Sequence, residues 1–169
     1  NPNCTTIVSL MAMAPLHRAF GLKRAVMSSY QAISGAGARA MEEMEAQVKD
    51  WAAGRQLKKP EISPRQIAFN LIPRIDAVQE NDYTKEEMKF LWESKKILHH
   101  DSLLASATCV RVPVFRSHAV SLNLEFEKEV SRESATEVLN AANGVVVEDD
   151  APNEIYPTPL ERAEQDDIA

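Results

Sequence analysis

"LLASATCVRVPVFRSHAVSLNLEFEK", residues 103–128, is the stretch whose reading decides the fold. It contains two runs, "LLASATCVRVPVF" and "HAVSLNLEFEK", rich in the β-branched and aromatic residues that suit a pleated surface. They are close enough together in sequence to form a hairpin around the turn "FRS". Such a hairpin would bring His118 within a residue or so of facing Pro113, and hence near Arg111.

Working outward, Thr84 opens a helix with Glu87 three residues on as a capping-box partner. Before it, "RQIAFNLIP" reads as a strand. Earlier still, "LKRAVMSSYQAIS" reads as a strand running into "SGAG". A long helix follows, with Met41, Met44, Val48 and Trp51 at helical spacing as core contacts. A first helix spans about 5–20, with Pro15 as a kink point. On the far side, Ser131 starts a helix running to about Ala142, Gly144 ends it, and "VVVED" returns as a short strand. The acidic tail from Asp149 carries Pro152, Pro157 and Pro159 and reads as an extended connection. Together these give an α+β domain, a mixed and mostly antiparallel sheet covered by helices on one side.

The 169 residues suffice for one domain with a real core, and 44% hydrophobic with 26% charged residues is globular composition. A formal net charge of −6 argues against nucleic acid as a partner, since there is no basic excess to meet phosphates. No apolar run is long enough for a membrane span. Two cysteines make no disulfide framework, so the expected compartment is the cytoplasm. The chain opens without Met, which suggests a domain of a longer product.

Cys4, in "NPNCTT" (residues 1–6), sits where the first helix begins. A thiol there meets the positive end of the backbone dipole and unpaired N–H groups, which favours thiolate and makes a nucleophile. The alternative is a small hydrophobe at a helix start. Arg111 lies on an otherwise apolar strand and needs an anionic partner, either an internal carboxylate or a ligand. His118 beside it is a candidate acid/base. Glu86 and Lys89, three apart, share a helix face. His99 and His100 fit as favourable charge at a helix C-terminus, and no metal site is expected. Cys109 reads as an inert core thiol. "GAGARA" (35–40) fits G-x-G-x-x-A, but the next strand offers no acidic residue for a ribose, and the element order is not that of a doubly wound sheet. A glycine loop that comes close to a ligand remains.

Taken together, "NPNCTT", "YQAISGAG", "IAFNLIPRID", "EEMK" and "CVRVPVFRSH" resemble the aspartate-semialdehyde dehydrogenase family. The related acyl-phosphate reductases surround their cysteine differently. The resemblance implies a catalytic domain of the glyceraldehyde-3-phosphate dehydrogenase type. It implies NADP-dependent reductive dephosphorylation of L-aspartyl-4-phosphate to L-aspartate 4-semialdehyde through a cysteine thioester, on the route to lysine, threonine and methionine. In it, Cys4 would be the nucleophile and His118 the acid/base. Arg111 would hold the substrate α-carboxylate, Glu86 its amino group, and Gln31 would position it. Lys89 would meet phosphate, with Asn3 a further contact. Ser34 and Gly35 would approach the nicotinamide end of NADP. Helix capping assigns Glu87 to the helix start, while family spacing to lysine selects Glu86 for substrate.

The family carries a dinucleotide-binding domain before the cysteine and a helix that returns to it. The resemblance therefore implies a catalytic and dimerisation domain at 1–148, with 149–169 leading back toward that other domain. Partners would be the small-molecule substrate, phosphate and further copies in a homodimer or tetramer; alone, the chain would bind NADPH poorly and turn over little. The competing readings are a related enzyme such as N-acetylglutamyl-phosphate reductase and a non-catalytic oligomerisation domain.

Overall fold

Asn3 starts the first helix. Its Oδ1 accepts the Thr6 N–H at 3.1 Å and so satisfies one of the N–H groups a helix start leaves unpaired. The helix, α1, runs Cys4–Phe20 and encloses Pro15. It stops at Gly21, whose φ of 74° is the left-handed conformation that closes helices and favours glycine. The computed structural model describes residues 1–169. After α1 come β1 (Leu22–Gln31), one 3-10 turn (Ile33–Ala36) and α2 (Ala38–Ala52). A long irregular connection leads to α3 (Lys85–Leu98), then β2 (Leu104–Arg111), β3 (Ala119–Phe126) and α4 (Arg132–Asn140). Both capping boxes form, Thr84 with Glu87 at α3 and Ser131 with Ser134 at α4.

The three strands make one mixed sheet in the order β2-β1-β3, with β1 parallel to β2 and antiparallel to β3. The expected hairpin does not form, because β1 lies between its two strands. The reason is in residues 112–118. The Val112 N–H donates to the Gln31 carbonyl, and the Val114 and Phe115 carbonyls accept from Ile33 and Ser34. The link therefore wraps the end of β1 and crosses two strand spacings, about 10 Å, before β3 begins.

Inward-facing Ala25 and Met27 of β1, and Ala107 and Cys109 of β2, pack with Met13 of α1 and Phe90 of α3 in one buried cluster. Val120, Leu122, Leu124 and Phe126 of β3 complete it. Both helices thus cover a single face, as the sequence implied. The opposite face, carrying Arg24, Val26, Ser28 and Tyr30 with Thr108, Ser121 and Asn123, has no helix over it, and Tyr30 is 47% exposed.

Several sequence readings need correction. "RQIAFNLIP" is not a strand; only Ile72 forms a bridge, to Arg111. Its apolar Ile67, Ala68 and Ile72 instead pack with Ile33, Ala40 and Met44 in a second cluster beyond the sheet end. "VVVED" likewise reduces to one isolated bridge, Val145 to Ile168, with a second just beyond it from Asp150 to Ile155. Of the four α2 residues expected as core contacts only Met44 is buried, with Met41 packed beside it, whereas Trp51 is 61% exposed and meets exposed Phe69 at a tilted ring angle. Periodicity marked the helix, but only its first half has a cluster to face. His100 also has packing partners beyond the helix end: its Nε2 contacts the Leu22 carbonyl at 2.8 Å, and its ring stacks on His17. The tail folds back through α5 (Pro159–Arg162) and the Ile168 bridge, with no buried residue from 149 onward.

Candidate active site

The polar cluster gathers where α1 and α3 begin and where β1 and β2 end. Parallel pairing of β1 with β2 sets Gln31 opposite Arg111. Gln31 is 1% exposed; its Nε2 donates to Ser29 Oγ and Glu86 Oε1, both at 3.2 Å. Its Oε1 accepts from Arg111 Nη1 at 3.4 Å. Glu86 is the hub. It also accepts from Asn3 Nδ2 at 2.8 Å and from Lys89 Nζ at 3.2 Å. Asn3 thus ties the helix carrying Cys4 to the helix carrying Glu86, and its own N–H donates to Glu93 at 2.7 Å.

The two adjacent glutamates divide as their helix positions require. Glu87 closes the capping box and accepts the Cys109 N–H at 3.1 Å, whereas Glu86 is buried in the cluster. The Glu86–Lys89 pair is not solvated decoration, since the Glu86 side chain is 7% exposed. Lys89 also meets Asp76 at 3.2 Å. Partial burial pushes its ammonium down, but hydrogen bonds and charge from Asp76 and Glu86 outweigh that and hold it above the usual lysine value.

Arg111 is half-buried, and its Nη1 donates to the Ala32 carbonyl at 2.9 Å. No carboxylate lies within ion-pair distance of it, so the internal ion pair left open by the sequence is not there. Burial pushes the guanidinium down from its ordinary value, and Glu86, Cys4 and Cys109 pull it back up. A cavity of about 410 Å3 opens beside it, lined by Ile33, Ala36, Arg74 and Asp76 among others. A half-buried cation with neutral hydrogen-bond partners and an open cavity beside it is arranged to receive an anion.

His118 closes the other side. Its Nδ1 accepts the Ala32 N–H at 3.0 Å, so the neutral ring carries its proton on Nε2. Burial and Arg111 push its pKa below the usual histidine value, against an upward pull from Glu86. Gly35 is pressed against both groups. A Cβ there would lie 2.8 Å from Arg111 Nη1 and 3.3 Å from His118 Nε2. Ser34 sits beside it, its N–H donating to the Phe115 carbonyl at 3.0 Å.

Cys4 opens α1 and is exposed. The expectation that the helix start favours thiolate is overturned. Desolvation and the Glu86 carboxylate raise the thiol above its ordinary value, against backbone N–H bonds from Thr5 and Cys4 and the charge of Arg111. Burial pushes Cys109 up to about 11, which fits an inert core thiol. Asp76 escaped the sequence reading. "RID" carries no spacing signal linking it to Lys89, because the two meet through the irregular connection.

Fold and cluster together define a class: an α+β domain that gathers a thiol, a histidine, an arginine and a carboxylate at one end of a half-covered sheet. The family model for the semialdehyde dehydrogenase dimerisation domain matches residues 13–169. The chain belongs to that family. It is 48% identical over 168 residues to aspartate-semialdehyde dehydrogenase of Aquifex aeolicus, covering 99% of this chain and 49% of the relative. Identity to the Campylobacter jejuni enzyme is also 48%, over 161 residues, covering 95% and 47%. A Vibrio cholerae aspartate semialdehyde dehydrogenase II complexed with ASA superposes with a TM-score of 0.90 at 36% identity, covering 98% of this chain and 48% of the other. The chain spans about half the length of the relatives it matches.

Proposed function

We propose that this chain is the catalytic and dimerisation part of an aspartate-semialdehyde dehydrogenase, which reduces L-aspartyl-4-phosphate to L-aspartate 4-semialdehyde and releases phosphate. The observation that carries the reading is the half-buried Arg111, without a carboxylate partner, set between Gln31 and His118 near buried Glu86. Arg111 and Glu86 together match a substrate bearing both an α-carboxylate and an amino group. An N-acetylated substrate has no ammonium to offer Glu86, which argues against the N-acetylglutamyl-phosphate reductase reading.

The Cys4 thiol passes its proton to His118, the thiolate attacks the acyl phosphate, phosphate leaves, and a thioester remains on Sγ. The raised thiol pKa has a consequence for this step. Substrate ammonium placed on Glu86 offsets the carboxylate that holds the thiol protonated, so substrate binding itself promotes the thiolate. His118 is the acid/base: taking the thiol proton requires its ring to turn off the Ala32 N–H contact so that a nitrogen is free, and the imidazolium so formed then gives its proton to the thiohemiacetal oxygen. Lys89 offers a point charge to phosphate.

NADP, when bound, supplies the hydride. This chain's residues fit only one end of that group. Gly35 brings backbone against Arg111 and His118 at the rim of the cluster, and Ser34 flanks it, while no doubly wound sheet is present for a dinucleotide. The uncovered sheet face joins a second copy, so the oligomerisation reading describes another face of the same domain.

The test uses the intact polypeptide carrying this domain, as wild type and as Cys4→Ser, assayed for phosphate-dependent NADP reduction. Activity with aspartate semialdehyde, none with N-acetylglutamate semialdehyde, and loss in the variant are expected. A fully active serine variant refutes the assignment of the nucleophile.

A further inference from the structure

The segment "NLIPRID", whose first four residues the sequence reading gives to a strand, is a strap between the two elements that present the charged groups. At one end, Ile72 exchanges both backbone hydrogen bonds with Arg111, at 3.0 and 2.9 Å. At the other, the Ala77 carbonyl accepts the Lys85 N–H at 2.7 Å, and Val78 bridges Thr84 at the start of α3. Between them, buried Ile75 is anchored in the main core. Asp76 stands between these anchors with φ of 70°, a left-handed conformation that aspartate tolerates better than most residues. Its Oδ1 accepts the Ala77 N–H at 2.8 Å. That leaves Oδ2 for Lys89 Nζ, at 3.2 Å, the same distance at which Lys89 meets Glu86.

We propose that Asp76 is a positioning residue for Lys89, sharing the ammonium with Glu86 so that it stands toward phosphate and takes up less of the Glu86 charge. Asn3 and Gln31 bond that carboxylate only as neutral donors, so its charge is then available to the substrate amino group. The role rests on the functional reading above, and it deepens that reading by naming what separates the two subsites. Glu86 cannot serve an incoming ammonium while it alone neutralises Lys89. A second carboxylate on the far side of Nζ supplies the alternative partner. Without it the lysine collapses onto Glu86, and two binding determinants are weakened together although neither has been mutated. The strap gives this carboxylate a fixed seat, since it is pinned to the Arg111 strand and to the helix that carries Lys89.

Asp76→Asn isolates the charge, because asparagine keeps the Oδ1 acceptor for Ala77 and accepts the same backbone conformation. In the intact enzyme, with steady-state kinetics in the phosphate-dependent direction, the variant is expected to raise KM for phosphate fivefold or more. KM for aspartate semialdehyde rises as well, kcat stays within twofold of wild type, and the melting temperature is little changed. Asp76→Ala, which also loses the Ala77 contact, shows the same KM effects with a lower melting temperature. An active wild type whose Asp76→Asn variant keeps its phosphate KM overturns this inference alone. So does a variant whose kcat falls with that KM unchanged, since this is what a merely structural role produces. A wild type without phosphate-dependent activity refutes the functional reading and this role with it.

Discussion

Replacing Gly35 by alanine tests the packing of the site through one methyl group. The added Cβ would lie 2.8 Å from Arg111 Nη1 and 3.3 Å from His118 Nε2. Ordinary contact begins at about 3.5 Å, so the guanidinium must retreat by about 0.7 Å. The same Nη1 makes the 2.9 Å bond to the Ala32 carbonyl, so the retreat acts on that bond. A hydrogen bond to a charged group contributes about 1.5–3 kcal/mol, and with about 1.4 kcal/mol per factor of ten its loss corresponds to roughly 10- to 150-fold. The expected result is a fall of that size in kcat/KM for aspartate semialdehyde in the intact enzyme. Gly35 has no positive φ, so backbone strain does not contribute, and the lost hydrogen bond alone should lower the melting temperature by roughly 3–12 °C. Gly37→Ala is the control. Its φ is 93° and nothing lies within 4 Å of the added Cβ, so it should cost about 1 kcal/mol of stability and leave KM alone. A Gly35→Ala enzyme with unaltered kinetics would refute the claim that Arg111 is held in place by this close packing.

Alkylation of Cys4 followed against pH should give a half-point above that of a free cysteine, because burial and Glu86 both favour the thiol. Glu86→Gln should move the half-point down, and Cys109, at about 11, should stay unreacted; a wild-type half-point below the free value contradicts the electrostatics. Glu87→Ala removes the carboxylate half of the capping box and the Cys109 N–H contact. It should destabilise by about 1–2 kcal/mol, a loss of roughly 2–8 °C in melting temperature, while KM values stay unchanged. Tyr30→Glu places charge on the uncovered sheet face and should shift sedimentation toward monomer; an unchanged oligomer would place the interface elsewhere.

Local chemistry along the chain was enough for the helix starts at Asn3, Thr84 and Ser131, because a cap is a contact between residues three apart and is written in adjacent letters. It also sufficed for β1, β2 and β3 as strands, for the α+β class, and for the family resemblance with its cysteine, arginine and histidine. Pairing is not local. β1 enters between β2 and β3 because the 112–118 link bonds around its end, and nothing in the two flanking runs announces an intervening strand. "RQIAFNLIP" has strand-like composition, yet burial of Ile67, Ala68 and Ile72 against α2 decides its shape. The choice between Glu86 and Glu87 needed both the cap and the third dimension. The thiol pKa and the partnership of Asp76 with Lys89 depend on charges brought together from distant parts of the chain, and electrostatic energy is a function of distance in space, which sequence separation does not encode.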